Sequence, residues 1–140
     1  MSADLSAAER RVLDAIDETE LVATLVELVR TPSVTGTDAE ADLQHTVARW
    51  FEEAGLEVDL WALDLDDLRA DPDFPGTEAP RLEGHGLVGT ASGEGDPGLV
   101  LQGHVDVVPV GDVANWHEGD PFSARIDGGE LEVSALLGPL

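Results

Sequence analysis

At Gly55 the apolar residues of this chain change their period, and that change constrains the fold more than any other feature. Before it they recur at helical spacing; after it they alternate. Ser6-Ala7-Ala8-Glu9 reads as a capping box, with Ser6 as N-cap and Glu9 reaching back. The helix it opens carries Val12, Leu13 and Ile16, with a break expected between Asp17 and Glu20. Leu21, Leu25 and Leu28, with Val22, Val26 and Val29, continue a wide apolar face to Arg30. Pro32 stops it, because the residue before a proline avoids the helical region. Thr31 to Thr37 is a loop, and Thr37 or Asp38 can cap the next helix. Leu43, Val47, Trp50, Phe51 and Ala54 make its stripe, with Trp50 and Phe51 read as core and Gly55 as the residue that ends it.

Beyond Gly55, Leu56, Val58 and Leu60 alternate with polar residues, so a strand is expected from Glu57 to Trp61. Leu63 to Pro80 is acidic and holds Pro72, Pro75 and Pro80, which reads as a surface loop with room for one helical turn. Gly86 to Ala91 reads as a strand, and Ser92 to Gly98 as a turn. Leu99-Val100-Leu101 is a short apolar run bounded by turns, the pattern of a buried central strand. Phe122 to Ile126 and Glu130 to Val133 flank Asp127-Gly128-Gly129, a hairpin signal. Two N-terminal helices followed by the strands of a mixed sheet predict an α/β fold, with sheet and helices packed in layers.

The length, 140 residues, suits one domain, and 42% apolar residues suffice for a core. Thirty acidic side chains face seven basic ones, all arginine, for a formal charge of -23. Such a balance argues against nucleic acid, whose phosphates need clustered Lys and Arg, and against an anionic membrane surface. No apolar run reaches the length of a membrane span, and the first residues lack the basic and apolar regions of a signal peptide, so the expected location is cytoplasmic. A chain this acidic repels itself when compact, and molar salt shortens the Debye length from about 8 Å to about 3 Å. The reading that follows is a cytosolic protein of a salt-accumulating halophile. With no cysteine, any metal must sit on histidine and carboxylates.

The stretch from Leu99 to Pro109 carries the chemistry. An apolar run leads straight into His104 and Asp106, and ligands of open α/β sheets bind beyond the carboxyl ends of strands. Residues i and i+2 of an extended chain share a side, so His104 and Asp106 can meet. A carboxylate accepting one imidazole N–H fixes the tautomer and frees the other nitrogen for a metal. On residue types alone, a satisfied structural pair and a metal ligand with its carboxylate are both open. His45 lies off the stripe of its helix and is expected in solvent; His85 and His117, in Gly-rich or acidic loops, are expected to be exposed. Ser33, Thr35 and Thr37 read as turn and cap residues. There is no Gly-x-Ser-x-Gly elbow and no phosphate loop, and Gly84 to Gly89 lacks the spacing of a dinucleotide fingerprint.

Gly103-His104-Val105-Asp106-Val107-Val108-Pro109 resembles the first metal motif of the zinc peptidase family that contains acetylornithine deacetylase, succinyl-diaminopimelate desuccinylase, carboxypeptidase G and aminoacylase. Other segments are similar in the same order: Leu25 to Val34, Leu43 to Val58, Trp116 with Asp120-Pro121-Phe122-Ser123, and Gly128-Gly129-Glu130-Leu131. The resemblance implies an α/β zinc-exopeptidase domain with an inserted lid or dimerisation domain. It implies two zinc ions, or cobalt or manganese in their place, bridged by an aspartate and a water. It makes His104 a zinc ligand and Asp106 the carboxylate that clamps it. The activity implied is cleavage of an amide bond in an N-acyl amino acid or short peptide, with a glutamate taking the proton of the metal-bound water. After Leu131 the family pattern of Tyr-Gly-Arg-Gly and a bridging Asp does not follow; Glu132 to Leu140 reads differently. Residues 1–131 are therefore read as the N-terminal part of a metallopeptidase catalytic domain and residues 132–140 as a divergent tail. The remaining ligands, the glutamate base and the dimerising domain are not found. The expected protein is a truncated or frameshifted hydrolase of marginal stability, inactive alone. The alternative is a non-catalytic remnant that binds a partner such as its full-length relative, and a third reading has another chain complete the site.

Overall fold

The computed structural model describes residues 5–131 except 92, 94, 96 and 97. The chain runs through α1 (Ala7–Asp14), α2 (Glu18–Arg30), α3 (Asp38–Glu53), β1 (Glu57–Ala62), α4 (Leu65–Ala70) and β2 (His85–Thr90). Two short 3₁₀ turns follow, Val113–Asn115 and His117–Gly119, and then β3 (Ile126–Asp127) and β4 (Glu130–Leu131). Helices with small antiparallel sheets make the molecule mixed α/β.

The helices start where polar side chains can satisfy their first N–H groups. Ser6 accepts from the Glu9 amide while Glu9 accepts from the Ser6 amide, closing the expected box. Asp17 caps α2 through the amides of Thr19 and Glu20, so the break between Asp17 and Glu20 is a helix start. Asp64 does the same for α4. Thr37 sits at the N-cap of α3 without capping it; its hydroxyl donates to the Val34 carbonyl instead. Gly55, at φ 80°, takes the left-handed conformation that lets the chain leave α3 and enter β1.

The packed centre is α3 laid across the β1–β2 hairpin. These strands pair antiparallel from Glu57 with Thr90 to Ala62 with His85. Leu43, Ala41 and Ala48 of α3 are buried, and Trp50 and Phe51 are half-buried. Gly89 admits the Phe51 ring and Leu56: a Cβ there would lie 2.5 Å from Phe51 Cδ2 and 2.9 Å from Leu56 Cδ1. Across the hairpin, Trp61 covers Gly86 in the same way. Glu40 ties the loop before α3 to the segment before β2, accepting from the Gly36 amide at 2.6 Å and from Arg81 Nη1 at 2.9 Å. Gly128 and Gly129, at φ 58° and 87°, make the tight β3–β4 turn.

Much apolar surface lies open. No residue of α1 is buried, and Val12, Leu13, Ile16 and Leu21 face solvent. The expected central strand at Leu99-Val100-Leu101 is not formed; these residues are 75, 81 and 85% exposed. A short apolar run becomes a buried strand only when neighbours pair with it and cover it, and among the described residues none does. The second strand of the C-terminal hairpin is described only to Leu131, so its expected end at Val133 lies outside the described residues. Among the described residues no helix is long and apolar enough to cross a membrane.

Candidate functional site

Two segments far apart in sequence build the site. Pro32 turns the chain out of α2, and the residues after it run extended beside those that follow His104. The contact is a parallel bridge between Val34 and Val107. The Thr35 amide donates to the Val107 carbonyl at 3.0 Å, and the Val107 amide donates to the Ser33 carbonyl at 2.9 Å. Side chains complete the strap. Ser33, 1% exposed, donates from Oγ to the Val105 carbonyl at 2.7 Å. The Thr35 hydroxyl lies 2.7 Å from Asp106 Oδ2 and 3.2 Å from the Val107 carbonyl, and its single proton goes to the nearer carboxylate.

The strap fixes Asp106, and Asp106 fixes His104. Nδ1 of His104 lies 3.0 Å from Asp106 Oδ1 and 3.1 Å from the Asp106 carbonyl. With two oxygens facing it, Nδ1 is the nitrogen that donates, and Nε2 is left unengaged by Asp106. The His104 side chain is 77% exposed and that of Asp106 28%. Burial by itself pushes the Asp106 carboxyl up. The hydrogen bonds from Thr35 and His104 and the His104 charge outweigh burial, and the carboxyl ends below its ordinary range.

The expected meeting of His104 and Asp106 is therefore present, and the arrangement can present one imidazole nitrogen outward in a fixed tautomer. That donor suits zinc, cobalt or manganese. A catalytic zinc takes about three protein ligands. Among the described residues no group of three His, Asp or Glu side chains stands ready to hold a metal. His104 offers one imidazole nitrogen as a donor, with Asp106 behind it.

Two residues of the site, Ser33 and Thr35, go beyond the turn chemistry expected of them. Their hydroxyls act across 72 and 71 positions of sequence. The signal that could have found them is their i, i+2 spacing after a proline, which places both on one side of an extended segment. His45 is exposed as expected. His85 is not in a loop but opens β2, where it is half-buried, because pairing with Ala62 draws it under α3. His117 is largely exposed beside Glu118. The Trp116 indole donates to the Val110 carbonyl at 2.9 Å, and Asp120 Oδ1 accepts from the Phe122 amide at 2.9 Å. These bonds tie residues 110–122 into local turns.

No family model matches the chain. Curated relatives named succinyl-diaminopimelate desuccinylase do. The protein of Xanthobacter autotrophicus is 34% identical over 110 residues, covering 79% of this chain and 24% of that protein. That of Methylorubrum populi is 36% identical over 105 residues, 74% of this chain and 22% of that protein. That of Stenotrophomonas maltophilia is 38% identical over 106 residues, 75% and 22%. The chain spans about a quarter or less of the length of these relatives. Over three quarters of its own length, then, this chain is a partial match to the peptidase family of the succinyl-diaminopimelate desuccinylases.

Proposed function

We propose that residues 1–131 are the N-terminal part of a zinc-exopeptidase-like catalytic domain, and that this part contributes one metal ligand, His104, to a hydrolase of N-acyl amino acids or short peptides. The observation that carries the proposal is the strap: Ser33 and Thr35 hold Asp106, which turns Nε2 of His104 outward. When bound, the metal supplies a water of lowered pKa and polarises the amide carbonyl. His104 would hold it through Nε2. Asp106 would accept from Nδ1 and orient the ring, and Thr35 would keep Asp106 in place. Zinc is the proposed ion, with cobalt or manganese as substitutes.

In this reading the 140-residue chain alone does not turn over substrate, because the described residues supply one ligand of the several required. The acidic surface supports work in a salt-rich cytoplasm, with a small acylated substrate and neither nucleic acid nor membrane as partner. The test is a chimera in which this chain replaces the matching N-terminal segment of the Stenotrophomonas maltophilia desuccinylase. Release of succinate from succinyl-diaminopimelate is expected, and its loss in His104→Ala. A chimera equally active with alanine at 104 would overturn the assignment, and hydrolysis by the isolated chain would overturn its inactivity.

A second reading draws on the open Leu99-Val100-Leu101 run: a non-catalytic module that binds its full-length relative through this apolar edge. Stable association that leaves the relative's turnover unchanged, and that is lost in Val100→Asp, would favour it over the first.

A further inference from the structure

Thr37-Asp38-Ala39-Glu40 has the spacing of a capping box at the start of α3, yet neither end of it serves the helix. The Thr37 hydroxyl donates to the Val34 carbonyl at 2.6 Å, and the Thr37 amide donates to the same oxygen at 3.0 Å. Glu40 reaches past the N-cap and accepts from the Gly36 amide at 2.6 Å. Both side chains are thus turned onto the two residues that flank Thr35. The other oxygen of Glu40 accepts from Arg81 Nη1 at 2.9 Å, with the Glu40 side chain 15% and the Arg81 side chain 19% exposed. Arg69 in turn donates to the Arg81 carbonyl at 3.2 Å. Gly36, at φ 85°, is seated against this segment: a Cβ on it would lie 2.6 Å from the Pro80 carbonyl oxygen.

A largely buried ion pair is weak evidence for stability, because desolvation offsets much of its attraction. Nε of Arg81 adds to that cost, being buried with no hydrogen-bond partner among the described residues. What the pair secures is direction. Gly36 is held on one side of Thr35 and Val34 on the other, and between them the Thr35 hydroxyl faces Asp106 Oδ2. We propose that Thr37, Glu40 and Arg81 are positioning residues for the His104–Asp106 pair, acting through Thr35. The contacts run from Arg81 to Glu40, from Glu40 to Gly36, from Thr35 to Asp106 and from Asp106 to His104. That the positioned pair serves a metal rests on the function proposed above; the positioning itself rests on these contacts.

The test is NMR on the full chain in molar KCl at pH 8, comparing the parent with Arg81→Ala, Arg81→Lys and Thr37→Val. Two-bond ¹⁵N correlations read the His104 tautomer, and hydrogen exchange reads the amides of Thr35 and Val107 against those of the β1–β2 ladder. Arg81→Ala and Thr37→Val are expected to give mixed tautomers in place of the Nδ1-protonated ring, and to speed exchange at Thr35 and Val107 by about tenfold. Ladder amides should keep their parent rates. Arg81→Lys, which retains a charged donor for Glu40, should restore both readouts. In the active chimera with the desuccinylase, Arg81→Ala should lower kcat by about tenfold with KM unchanged. Parent-like tautomer and exchange in Arg81→Ala and Thr37→Val, ladder amides accelerated as much as the strap, or an unchanged kcat overturns the proposal. Thr37→Val, at an exposed position, decides where Arg81→Ala does not fold. A chimera still active in His104→Ala overturns the ligand reading, and the tautomer and exchange results then judge the positioning by themselves.

Discussion

Thr35→Val removes the strap's hydroxyl while keeping the side chain's shape, which isolates one bond. The hydroxyl donates to Asp106 Oδ2 at 2.7 Å. A hydrogen bond to a charged group contributes about 1.5–3 kcal/mol, and the 28% exposure of Asp106 lets water recover part, leaving about 1–2 kcal/mol. With a urea slope of about 1–3 kcal/mol/M, the unfolding midpoint should fall by roughly 0.5–1 M. Far-UV circular dichroism in molar KCl at pH 7 measures the midpoint. A carboxyl NMR titration follows Asp106, whose pKa should climb back toward the ordinary carboxylate range, because burial would then face one fewer opposing hydrogen bond. An unchanged midpoint together with an unchanged Asp106 titration would refute the view that Thr35 positions this carboxylate.

Three further outcomes are expected. Gly89→Ala should cost about 1–3 kcal/mol in the same urea assay, because its Cβ would meet Phe51 Cδ2 at 2.5 Å. Melting temperature should rise between 0.1 M and molar KCl as the Debye length falls from about 10 Å to about 3 Å; a flat profile would remove the self-repulsion argument. On acidification, the contribution of Asp106 should be fully present above its unfolded pKa of about 3.9 and be lost as pH falls through its lower folded pKa. Thr35→Val should therefore lose part of its stability at higher pH than the parent chain, as acid unfolding curves can show.

Local chemistry was legible from residues and distant pairing was not. Ser6 with Glu9, Gly55, and the alternation at Leu56, Val58 and Leu60 specify structure through neighbours a few positions away, and each element stands where its pattern put it. His104 and Asp106 meet because two residues of extended chain suffice. Leu99-Val100-Leu101 carried an ambiguous signal: apolarity states what a segment would bury, and its burial depends on strands that the segment does not encode. Ser33 and Thr35 had the complementary problem. Their hydroxyls look like turn chemistry, and only the approach of residues 105–107 reveals their acceptors. His85 was hidden because the Gly84-His85-Gly86 context suggests a loop, whereas Gly86 is small to admit the Trp61 ring within a hairpin.

The Val34–Val107 bridge also orders events in time. Ser33 reaches Val105 across 72 positions, and closing so long a loop costs entropy that only a few hydrogen bonds offset. The β1–β2 hairpin under α3 closes over shorter distances and buries the larger apolar area, so it should condense first. On a ribosome, Ser33 and Thr35 emerge long before the carbonyls and carboxylate they hold, and wait unpaired until residue 107 arrives. In the finished molecule the same asymmetry makes the strap the first long-range contact to open. The amides of Thr35 and Val107 should exchange with solvent deuterium faster than those of the β1–β2 ladder. His104 would then lose its fixed tautomer in each opening, while the rest of the fold stayed intact.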